Sequence, residues 1–455
     1  MKIKDILNVT GGRLLSGRPG YDLDLSTIST DTRTLEKGSF FLPLEGANFD
    51  AERFIEEAFK KGAIGTFTRR SGTVRFAASR DNIVIQVKDT LDALQKMARY
   101  HRSRLKTPVV AVTGSNGKTS VKEMIAAVLA AKYNVLKNEG TKNNHIGMPL
   151  TLLKLNRGHD VCVLELGANH AGEIASLARI AAPQTAVITN IGHSHLEFFK
   201  NLEGVFKAKK ELLKFLEKDG LAVLNGDDKY LCSVRSSRFR IKRFGFSAAC
   251  DPRTCQLSIE KGRIGFELKN AGRFTLNLVG VHNVYNALAA IAVGRSFAVG
   301  YDAMKKALAR YVPADKRLNL IKIRSVTVMD DTYNSNPLSM MCALDSLKRY
   351  PANARWVVSA DMLELGKERN KLHAAVGEII ARSGFDGLLT FGRLSKNTYL
   401  RAIECGMSKG RVWHCSTRGE IARILRGLAG KDDAVLIKGS RSMRMEEVVK
   451  ELGEA

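Results

Sequence analysis

The chain has few cysteines and no long apolar run, and both absences exclude whole classes of protein. Its seven cysteines are odd in number and form no C-x-x-C pair, which argues against a disulfide framework or a structural zinc site. We expect most of them to be small buried hydrophobes in a reducing compartment. No segment has the roughly 18 apolar residues of a membrane span, and the start, MKIKDILNVTGG, has no apolar signal core. We therefore expect a cytoplasmic protein without a membrane span.

Signatures of nucleic-acid binding are also absent, although the chain is strongly basic. The formal net charge of its 455 residues is +26, and such an excess ordinarily indicates nucleic acid, an anionic surface or an acidic small substrate as partner. The cations are spread along the chain, without an RGG tract, zinc-finger spacing or a dense basic tail. We therefore expect no nucleic-acid partner, and we interpret the charge as serving solubility and the attraction of phosphates.

The apolar pattern predicts an α/β protein of three domains. Residues 1–88 alternate short strand candidates such as SFFLPLEG with the helix FIEEAFKKG, which predicts a small N-terminal α/β domain. Residues 89–313 repeat strand and helix, which predicts a P-loop-type parallel sheet covered on both faces. Residues 314–455 repeat the pattern again, as a Rossmann-like domain. Ligands of such sheets lie beyond the carboxyl ends of the strands, where Gly114, Glu165, Asn190 and Asn225 fall.

The stretch VVAVTGSNGKTS, residues 109–120, has the form of a phosphate-binding loop between a buried strand and a helix. It is shorter than the standard Walker motif, because Val112 stands six positions before Lys118. Glycines let backbone N–H groups approach phosphate oxygens, Lys118 supplies charge to the outer phosphates, and the Thr119 hydroxyl can ligate Mg²⁺. The predicted nucleotide contacts are Gly114, Ser115, Asn116, Gly117, Lys118, Thr119 and Ser120.

A lysine interrupts the apolar face of the helix predicted in residues 200–220. At 100° per residue, Lys209 falls in the middle of a face formed by leucine, valine and phenylalanine, whereas Lys207, Lys210 and Lys214 point away from it. Lys209 could extend its charge from the edge of the face to water. Alternatively, burial lowers the pKa of its amine, and the neutral amine could react with CO₂ to give a carbamate that ligates a metal.

Metal-ligand candidates lie near the same strand ends. Glu165 interrupts the apolar strand VCVLELG with a carboxylate, and His195 follows the strand TAVITNIG in a GHSH loop. Oxygen ligands with one imidazole suit Mg²⁺ or Mn²⁺ better than zinc. We interpret His193 as a surface loop residue, and a hydrogen-bonded core carboxylate stays an alternative for Glu165.

Polar side chains also mark the start of one later helix and the entry to the third domain. GVHNVYNALAA places His282, Asn283 and Asn286 at a helix start, where Asn283 could simply cap the helix. Arg317 follows in ADKRLNL, and the carboxylate pair Asp330 and Asp331 stands in MDDTYNSNP, whose NSNP would also suit a turn.

Taken together, these motifs make the chain resemble the Mur ligases. The resemblance covers essentially the whole chain, from STDTR at 29–33 through TGSNGKTS, GTKNNHIGMPLTLL, ELGANHAGEI, HSHLEFF, FKAKKELL, GVHNVYNALAA, DDTYNSNP and DMLELG to IKGSRSMRMEEVV. The shared order of the motifs over three domains is much stronger evidence than any single motif. The resemblance implies an ATP-dependent ligase of peptidoglycan synthesis that forms an amide through an acyl phosphate.

The resemblance also implies roles for particular residues. Lys118 and Thr119 hold phosphates and Mg²⁺ or Mn²⁺, supported by Glu165, His195 and a carbamylated Lys209. The adenine side is formed by His282, Asn283 and Asn286; Arg317 contacts a phosphate and Asp331 the ribose or hinge. The uridine-diphosphate clamp comprises Thr30, Asp31, Thr32 and Arg33 with the LEGANFD loop. The sugar-peptide and the incoming dipeptide are contacted by Asn143, Asn144, Asn334 and Asn336.

Within the family, the motifs are most similar to those of the enzymes that join D-alanyl-D-alanine to UDP-N-acetylmuramoyl-tripeptide, and we expect these substrates and a monomer. A sister ligase that adds a diamino acid would carry an Asp-Asn-Pro-Arg type motif in the C-terminal domain, and this chain has none there. Folylpolyglutamate synthetase would lack the STDTR domain. A basic P-loop NTPase that binds nucleic acid is the alternative from another class.

Three positions depart from the family pattern. Lys316 and Ala360 stand where the family usually has glycine, and Asp50, Ala51 and Glu52 stand where it has Asp-Gly-His. Because lysine and alanine resist positive φ, we expect the first two to alter loop geometry. The third affects the uridine contacts.

Overall fold

The computed structural model describes residues 1–46, 49–76, 81–260 and 262–454. Its packing divides the chain into two compact units. The first unit comprises residues 1–111, 133–167 and 175–184, and the second comprises residues 112–132, 168–174 and 185–455. The predicted domain boundaries, 1–88, 89–313 and 314–455, come from the pattern of strands and helices in the sequence and not from packing, and they stay a prediction.

The described part of residues 1–105 forms a five-stranded sheet, a separate antiparallel pair made by the fourth and fifth strands, and three α-helices. The strands are β1 Arg13–Ser16, β2 Ile28–Ser29, β3 Phe40–Phe41, β4 Glu45–Gly46, β5 Phe49–Asp50, β6 Gly65–Thr68 and β7 Ile83–Gln86; the helices are α1 Ile3–Thr10, α2 Ile55–Lys60 and α3 Thr90–Ser103. The sheet order is β1-β7-β6-β3-β2, with β1 antiparallel to β7 and the other pairs parallel. Its core is apolar, and within it Phe40 and Phe67 meet edge to face at 5.2 Å between ring centroids.

The next part of the chain alternates buried strands with helices, as predicted. Its elements are β8 Val109–Thr113, α4 Lys118–Ala130, β9 Val135–Lys137, α5 Gly147–Leu153, β10 Val161–Glu165, α6 Glu173–Ala181, β11 Thr185–Ile188, α7 Leu196–Phe199, α8 Leu202–Lys214, β12 Leu221–Asn225 and β13 Arg240–Phe244. In the first unit β9 pairs with β10, and in the second unit β11, β12 and β13 pair in sequence, all parallel. The strands β8, β10, β11 and β12 are buried on both faces because helices cover them, whereas β9 and β13 are partly exposed.

Residues 257–276 depart from the expected repeat. The strands β14 Leu257–Glu260, β15 Arg263–Leu268 and β16 Gly272–Leu276 form an antiparallel sheet, in which Phe266 and Phe274 are opposite each other and stack at 5.4 Å. The turn before β16 has positive φ at Asn270 and Gly272, residue types that tolerate it. The helices α9 His282–Ser296 and α10 Tyr301–Ala309 follow.

The last part is a second doubly wound sheet within the second unit, as predicted. Its elements are β17 Asn319–Ile323, β18 Val326–Asp331, α11 Pro337–Arg349, β19 Arg355–Ala360, α12 Arg369–Arg382, β20 Gly387–Phe391, α13 Lys396–Glu404, β21 Val412–Cys415, α14 Arg418–Leu428, β22 Ala434–Lys438 and α15 Glu446–Gly453. The order is β17-β18-β22-β19-β20-β21, and only β17 is antiparallel to its neighbour. Apolar clusters cover both faces of this sheet.

The structure bears on three expectations drawn from composition. None of the described helices is both long and apolar enough to cross a membrane. All seven cysteines are free thiols, as the spacing predicts. The expectation that most of them are buried is wrong: three are buried, Cys162, Cys250 and Cys415, and Cys255 is exposed.

Candidate active site

The glycine loop between β8 and α4 has the backbone that its sequence predicts. Gly114 has φ +146°, and a Cβ there would lie 2.0 Å from Thr189 Oγ1. Gly117, the N-cap of α4, has φ +78°, and a Cβ would lie 2.7 Å from Asn286 Oδ1. Only glycine fits both positions without displacing a neighbour. The loop leads directly into the N-terminus of α4. The first N–H groups of this helix have no acceptor within the helix, and they attract anions.

The loop is held by the segment that follows β11. Ser115 N donates to Asn190 O at 2.9 Å, and Asn116 N donates to Asn190 Oδ1 at 3.0 Å. The Ser115 hydroxyl donates to Gly192 O at 3.0 Å, and Ser194 Oγ donates to Ser115 Oγ at 3.0 Å. The hydrogen bonds of Ser115 and Asn116 therefore fix the conformation of the loop. Ser120 lies after the loop, in the first turn of α4.

Two cations converge on the loop. Lys118 Nζ donates to Gly114 O at 2.9 Å and to Ser115 O at 3.1 Å, so its ammonium is held over the loop. Arg317 Nη2 donates to the buried Thr119 hydroxyl at 3.0 Å, and its guanidinium stacks 4.0 Å from the centre of the Tyr333 ring. Two positive side chains therefore lie at the N-terminus of α4, an arrangement that would attract an anion.

The side chain of Asn336, predicted to contact a substrate, is hydrogen-bonded to the glycine loop. Its amide exchanges two hydrogen bonds with the amide of Asn116, at 2.8 and 3.2 Å. Its Oδ1 also caps α11 by accepting from Ser339 N at 2.9 Å. Its Oδ1 thus accepts two hydrogen bonds, whereas its Nδ2 donates one and has a second N–H with which it could contact a substrate.

Lys209 lies in the apolar interior, as the helical periodicity predicts. Its side chain is 1% exposed, while Lys207, Lys210 and Lys214 are exposed. Nζ donates to Ala168 O at 3.3 Å and lies 5.4 Å from the centre of the Phe199 ring. Burial lowers the pKa of Lys209 to about 7, and the Lys118 cation acts in the same direction. The alternative in which this ammonium reaches water is therefore wrong.

His195 pairs with a carboxylate from the distant DMLELG motif. Its Nδ1 lies 2.5 Å from Glu364 Oε2, and this bond holds the pKa of the Glu364 carboxyl below its usual value. Glu364 is therefore charged at neutral pH. His193, expected at the surface, is half-buried, and burial lowers the pKa of its imidazole.

Glu165, at the end of β10 in the first unit, is 1% exposed. Its Oε1 accepts from Asn143 Nδ2 at 2.6 Å, and its backbone N–H donates to Asn138 Oδ1 at 2.9 Å. Its Oε2 is buried and has no hydrogen-bond partner. A buried carboxylate oxygen without a partner is costly, and a cation would satisfy it. The described residues contain no group of three or more His, Cys, Asp or Glu side chains that could hold a metal by themselves.

The residues predicted for the adenine side lie at the start of α9. Asn283 Nδ2 donates to Val279 O at 2.8 Å, and Asn286 Nδ2 donates to Asn283 Oδ1 at 3.0 Å. The N-cap is Val281, which makes no side-chain cap, so the alternative that Asn283 caps this helix is wrong. Burial lowers the pKa of His282, which favours a neutral imidazole.

Asp331 is paired with a buried lysine that sequence reasoning did not single out. Lys438, 2% exposed at the end of β22, donates to Asp331 Oδ2 at 2.6 Å and to Asn334 O at 2.8 Å. Asn334 Oδ1 accepts from Ser335 N at 2.9 Å. A lysine ending the buried run AVLI is the same signal that identified Glu165, and it could have identified Lys438.

The predicted uridine clamp lies at the surface of the first unit. The Asp31 carboxylate accepts three hydrogen bonds from the Arg33 guanidinium, which lowers the pKa of the Asp31 carboxyl to about 2. Thr30 is half-buried, and Thr32 is buried with its carbonyl accepting from Lys61. In the LEGANFD loop, Ala47 and Asn48 lie outside the described residues. Asn144 Oδ1 accepts from Ile146 N and Gly147 N at the start of α5, a structural role.

The departures from the family pattern have different consequences. Lys316 adopts φ +62° despite its side chain, and its Nζ pairs with Glu446 at 2.9 Å. The loop keeps the glycine-like backbone, so the expectation of altered geometry is wrong at this position. Ala360 ends β19 without positive φ and needs no glycine. Glu52 is buried and bonds Arg70 Nε at 3.1 Å.

Comparisons with known proteins agree with this geometry. Residues 112–294 match the family described as Mur ligase middle domain, and residues 316–441 match the Mur ligase, glutamate ligase domain. The UDP-N-acetylmuramoyl-tripeptide–D-alanyl-D-alanine ligase of Bacillus subtilis is 36% identical over 100% of this chain and 98% of its own. A crystal structure of MurF from Acinetobacter baumannii has a TM-score of 0.89 at 29% identity, covering 100% of this chain and 99% of that one. The Thermotoga maritima MurF ligase in complex with ADP has a TM-score of 0.83 at 28% identity, covering 95% and 99%.

Proposed function

The chain belongs to the Mur ligase family, and from that premise we propose that it joins D-alanyl-D-alanine to UDP-N-acetylmuramoyl-tripeptide. ATP is converted to ADP and phosphate, and the product is the pentapeptide precursor of peptidoglycan. One observation carries this proposal: Arg317 Nη2, from the segment matched as the glutamate ligase domain, lies 3.0 Å from Thr119 Oγ1 of the glycine loop. Both family segments therefore contribute to one phosphate-binding site within the second unit.

The arrangement of charge fits phosphoryl transfer to a carboxylate. ATP and the terminal carboxylate of the tripeptide repel one another, and Lys118 with Arg317 supplies the positive charge that offsets this repulsion. The γ-phosphate passes to a carboxylate oxygen, and ADP leaves. The dipeptide amine then attacks the acyl carbon, phosphate leaves with its oxygen, and the amine loses a proton as the amide forms.

A divalent cation fits the donors present. Glu165, with its buried and unpartnered Oε2, supports the proposal that it ligates Mg²⁺ or Mn²⁺. In the second unit, the Thr119 hydroxyl, the His195 imidazole and a carbamate on Lys209 have the donor chemistry for a cation of the same class. Such a cation, when bound, neutralises charge that develops on the phosphate oxygens.

Carbamylation of Lys209 is supported by its environment. A pKa of about 7 leaves much of the amine neutral at physiological pH. The neutral nitrogen bonds to the carbon of CO₂, one proton is released, and the product is an anion. Lys118, which disfavours a second cation, would stabilise this anion.

The remaining predicted contacts belong to the same proposal. His282, Asn283 and Asn286 are proposed to line the adenine side, with Asp331 at the ribose or hinge. In the first unit, residues 30–33 are proposed to bind the uridine diphosphate, and Asn143 and Asn144 the sugar-peptide. Asn334 and Asn336 are proposed to contact the incoming dipeptide. Because its substrates are nucleotides, we propose that the enzyme works in the cytoplasm, as a monomer.

The decisive experiment tests whether an oxygen atom of the tripeptide carboxyl is transferred to the released phosphate. The tripeptide carboxyl is labelled with oxygen-18, and the phosphate released during the reaction is analysed by mass spectrometry. We expect one labelled oxygen per phosphate, and ADP release only when nucleotide-sugar tripeptide and D-alanyl-D-alanine are both present. Unlabelled phosphate, or equal ADP release without the dipeptide, would contradict the proposed reaction. Stimulation by polynucleotide instead would favour the nucleic-acid NTPase.

A truncation tests the assignment of the N-terminal residues. We expect deletion of residues 1–88 to abolish binding of the UDP-sugar while ATP still binds, measured by calorimetry with each ligand. Unchanged affinity for the UDP-sugar would contradict the clamp, and the Arg33→Ala variant of the full chain provides the same test without deletion.

A further inference from the structure

His195 and Glu364 meet in an unusual way, because both residues have left-handed backbone. His195 has φ +50° and Glu364 has φ +62°. Neither is glycine, and a left-handed backbone at such residues costs strain that the surrounding structure has to offset. Their side chains nevertheless form the 2.5 Å bond between Nδ1 and Oε2.

The backbone around this pair is fixed from both sides. Glu197 N donates to Glu364 O at 3.1 Å, and the carbonyl of His195 accepts from Phe198 N and Phe199 N at 3.0 Å each. The Phe199 ring stands edge-on to the imidazole, with centroids 6.3 Å apart. The loop containing Glu364 therefore binds the turn that carries His195 through main chain as well as side chain.

Stability does not explain this arrangement. The side chains of His195 and Glu364 are 21% and 43% exposed, and exposed ion pairs stabilise a fold only weakly. The strain at two left-handed residues costs more free energy than one such ion pair contributes to stability. The bond does, however, determine the imidazole's chemistry: with Nδ1–H donated to the carboxylate, Nε2 of a neutral ring carries the free lone pair.

We propose that Glu364 is a positioning residue for His195, holding it as the Nδ1–H tautomer so that Nε2 is presented to the divalent cation that accompanies ATP. The inference rests on the proposed function, in which His195 has that cation role. A carboxylate behind a ligating histidine raises its basicity and sets its orientation. Because Glu364 comes from the glutamate ligase segment and His195 from the middle segment, the histidine is correctly oriented only when these two segments are in contact.

The first test reads the tautomer directly and needs neither metal nor activity. In enzyme labelled with ¹⁵N-histidine, we expect two-dimensional NMR at a pH where the ring is neutral to show Nδ1–H for His195, assigned by loss of its signals in His195→Asn. Glu364→Ala should shift the ring toward Nε2–H. Glu364→Gln, whose amide oxygen can still accept the bond, should retain Nδ1–H. An Nε2–H ring in the unaltered enzyme, or no change in Glu364→Ala, would overturn the inference.

The second test measures affinity for Mn²⁺ by electron paramagnetic resonance, with a non-hydrolysable ATP analogue bound. We expect Glu364→Ala to weaken Mn²⁺ binding about 10–100-fold, and Glu364→Gln to stay within about threefold of the unaltered enzyme. The matched control is Glu368→Ala, which removes an exposed carboxylate of the same loop whose only ion pair among the described residues is with Lys371 at 3.8 Å.

The Mn²⁺ affinities of the variants distinguish the positioning role of Glu364 from the cation role that the proposed function gives His195. If His195→Asn weakens Mn²⁺ binding but Glu364→Ala leaves it unchanged, the positioning role is wrong and the cation role of His195 stands. If His195→Asn also leaves Mn²⁺ binding unchanged, both are wrong. Circular dichroism of each variant establishes that the fold is intact before binding is compared.

Discussion

The buried amine of Lys209 leads to the most specific prediction, that activity depends on CO₂. The side chain is 1% exposed, and its pKa is lowered from 10.5 to about 7, chiefly by burial. At pH 8 an amine with a pKa of 7 is about nine-tenths neutral, whereas one with a pKa of 10.5 is about 0.3% neutral. Since only the neutral amine reacts with CO₂, burial raises the reactive fraction roughly 300-fold.

The assay compares enzyme equilibrated in CO₂-free buffer with enzyme given ¹³C-bicarbonate. We expect a ¹³C carbamate signal that is absent from Lys209→Ala, and ADP release that falls without CO₂ and returns on its addition. Lys209→Ala should lose activity at least about 100-fold, with partial rescue by formate or acetate. Lys210→Ala is the matched control, because its side chain is exposed on the same helix.

Two results would refute this reasoning. Full activity in Lys209→Ala would show that the position is not needed as a metal ligand. A carbamate signal of equal intensity in Lys209→Ala would place the modification on another lysine.

Three further predictions concern the charges of the second unit. In CO₂-free buffer the free energy of unfolding of the unaltered enzyme, measured relative to that of Lys209→Met, should rise by on the order of 5 kcal/mol between pH 7 and 10.5, because the unfolded chain then binds a proton that native Lys209 has lost; denaturant titrations of both chains measure this difference. Arg317→Ala removes the bond to Thr119, and we expect kcat/KM for ATP to fall about 10–150-fold, corresponding to about 1.5–3 kcal/mol. Lys438→Met leaves Asp331 without its ion-pair partner and should destabilise the fold by about 3 kcal/mol, measured by urea unfolding.

Each of these three predictions has a control that separates the proposed cause from a general effect of substitution. A pH dependence that is identical with and without the Lys209 amine would exclude its low native pKa. Lys322→Ala, which removes an exposed cation of β17, should leave kcat/KM unchanged; an equal loss there would contradict a local role for Arg317. The double variant Lys438→Met with Asp331→Asn should recover much of the lost stability, since it leaves no unpaired charge.

Local signals were sufficient for the features that depend on neighbouring residues. The glycine loop is predictable because Gly114 and Gly117 combine positive φ, which glycine adopts readily, with space that has no room for a Cβ. The burial of Lys209 is predictable because a helix turns 100° per residue, whatever packs against it. The alternating strands and helices follow from apolar runs of the lengths that each element buries.

Other features could not be predicted, because they join residues far apart in the chain. His195 and Glu364 are separated by 169 positions, Asn116 and Asn336 by 220, and Asp331 and Lys438 by 107. No periodicity records such a pairing. Asn144 and Asn336, which were predicted to contact substrates, make structural hydrogen bonds at helix N-termini, since an amide serves a helix N-terminus and a ligand equally well.

The amino-acid sequence alone determined the α/β pattern, the glycine loop before α4, the family and the buried face that carries Lys209, because each follows from local geometry or from a shared order of motifs. Only the tertiary structure decided which side chains meet: Arg317 on Thr119, Glu364 on His195, and an unpartnered oxygen on Glu165. The physical reason is that the charge, the tautomer and the pKa of a side chain are set by the groups that surround it in space, and folding brings those groups together from distant parts of the chain.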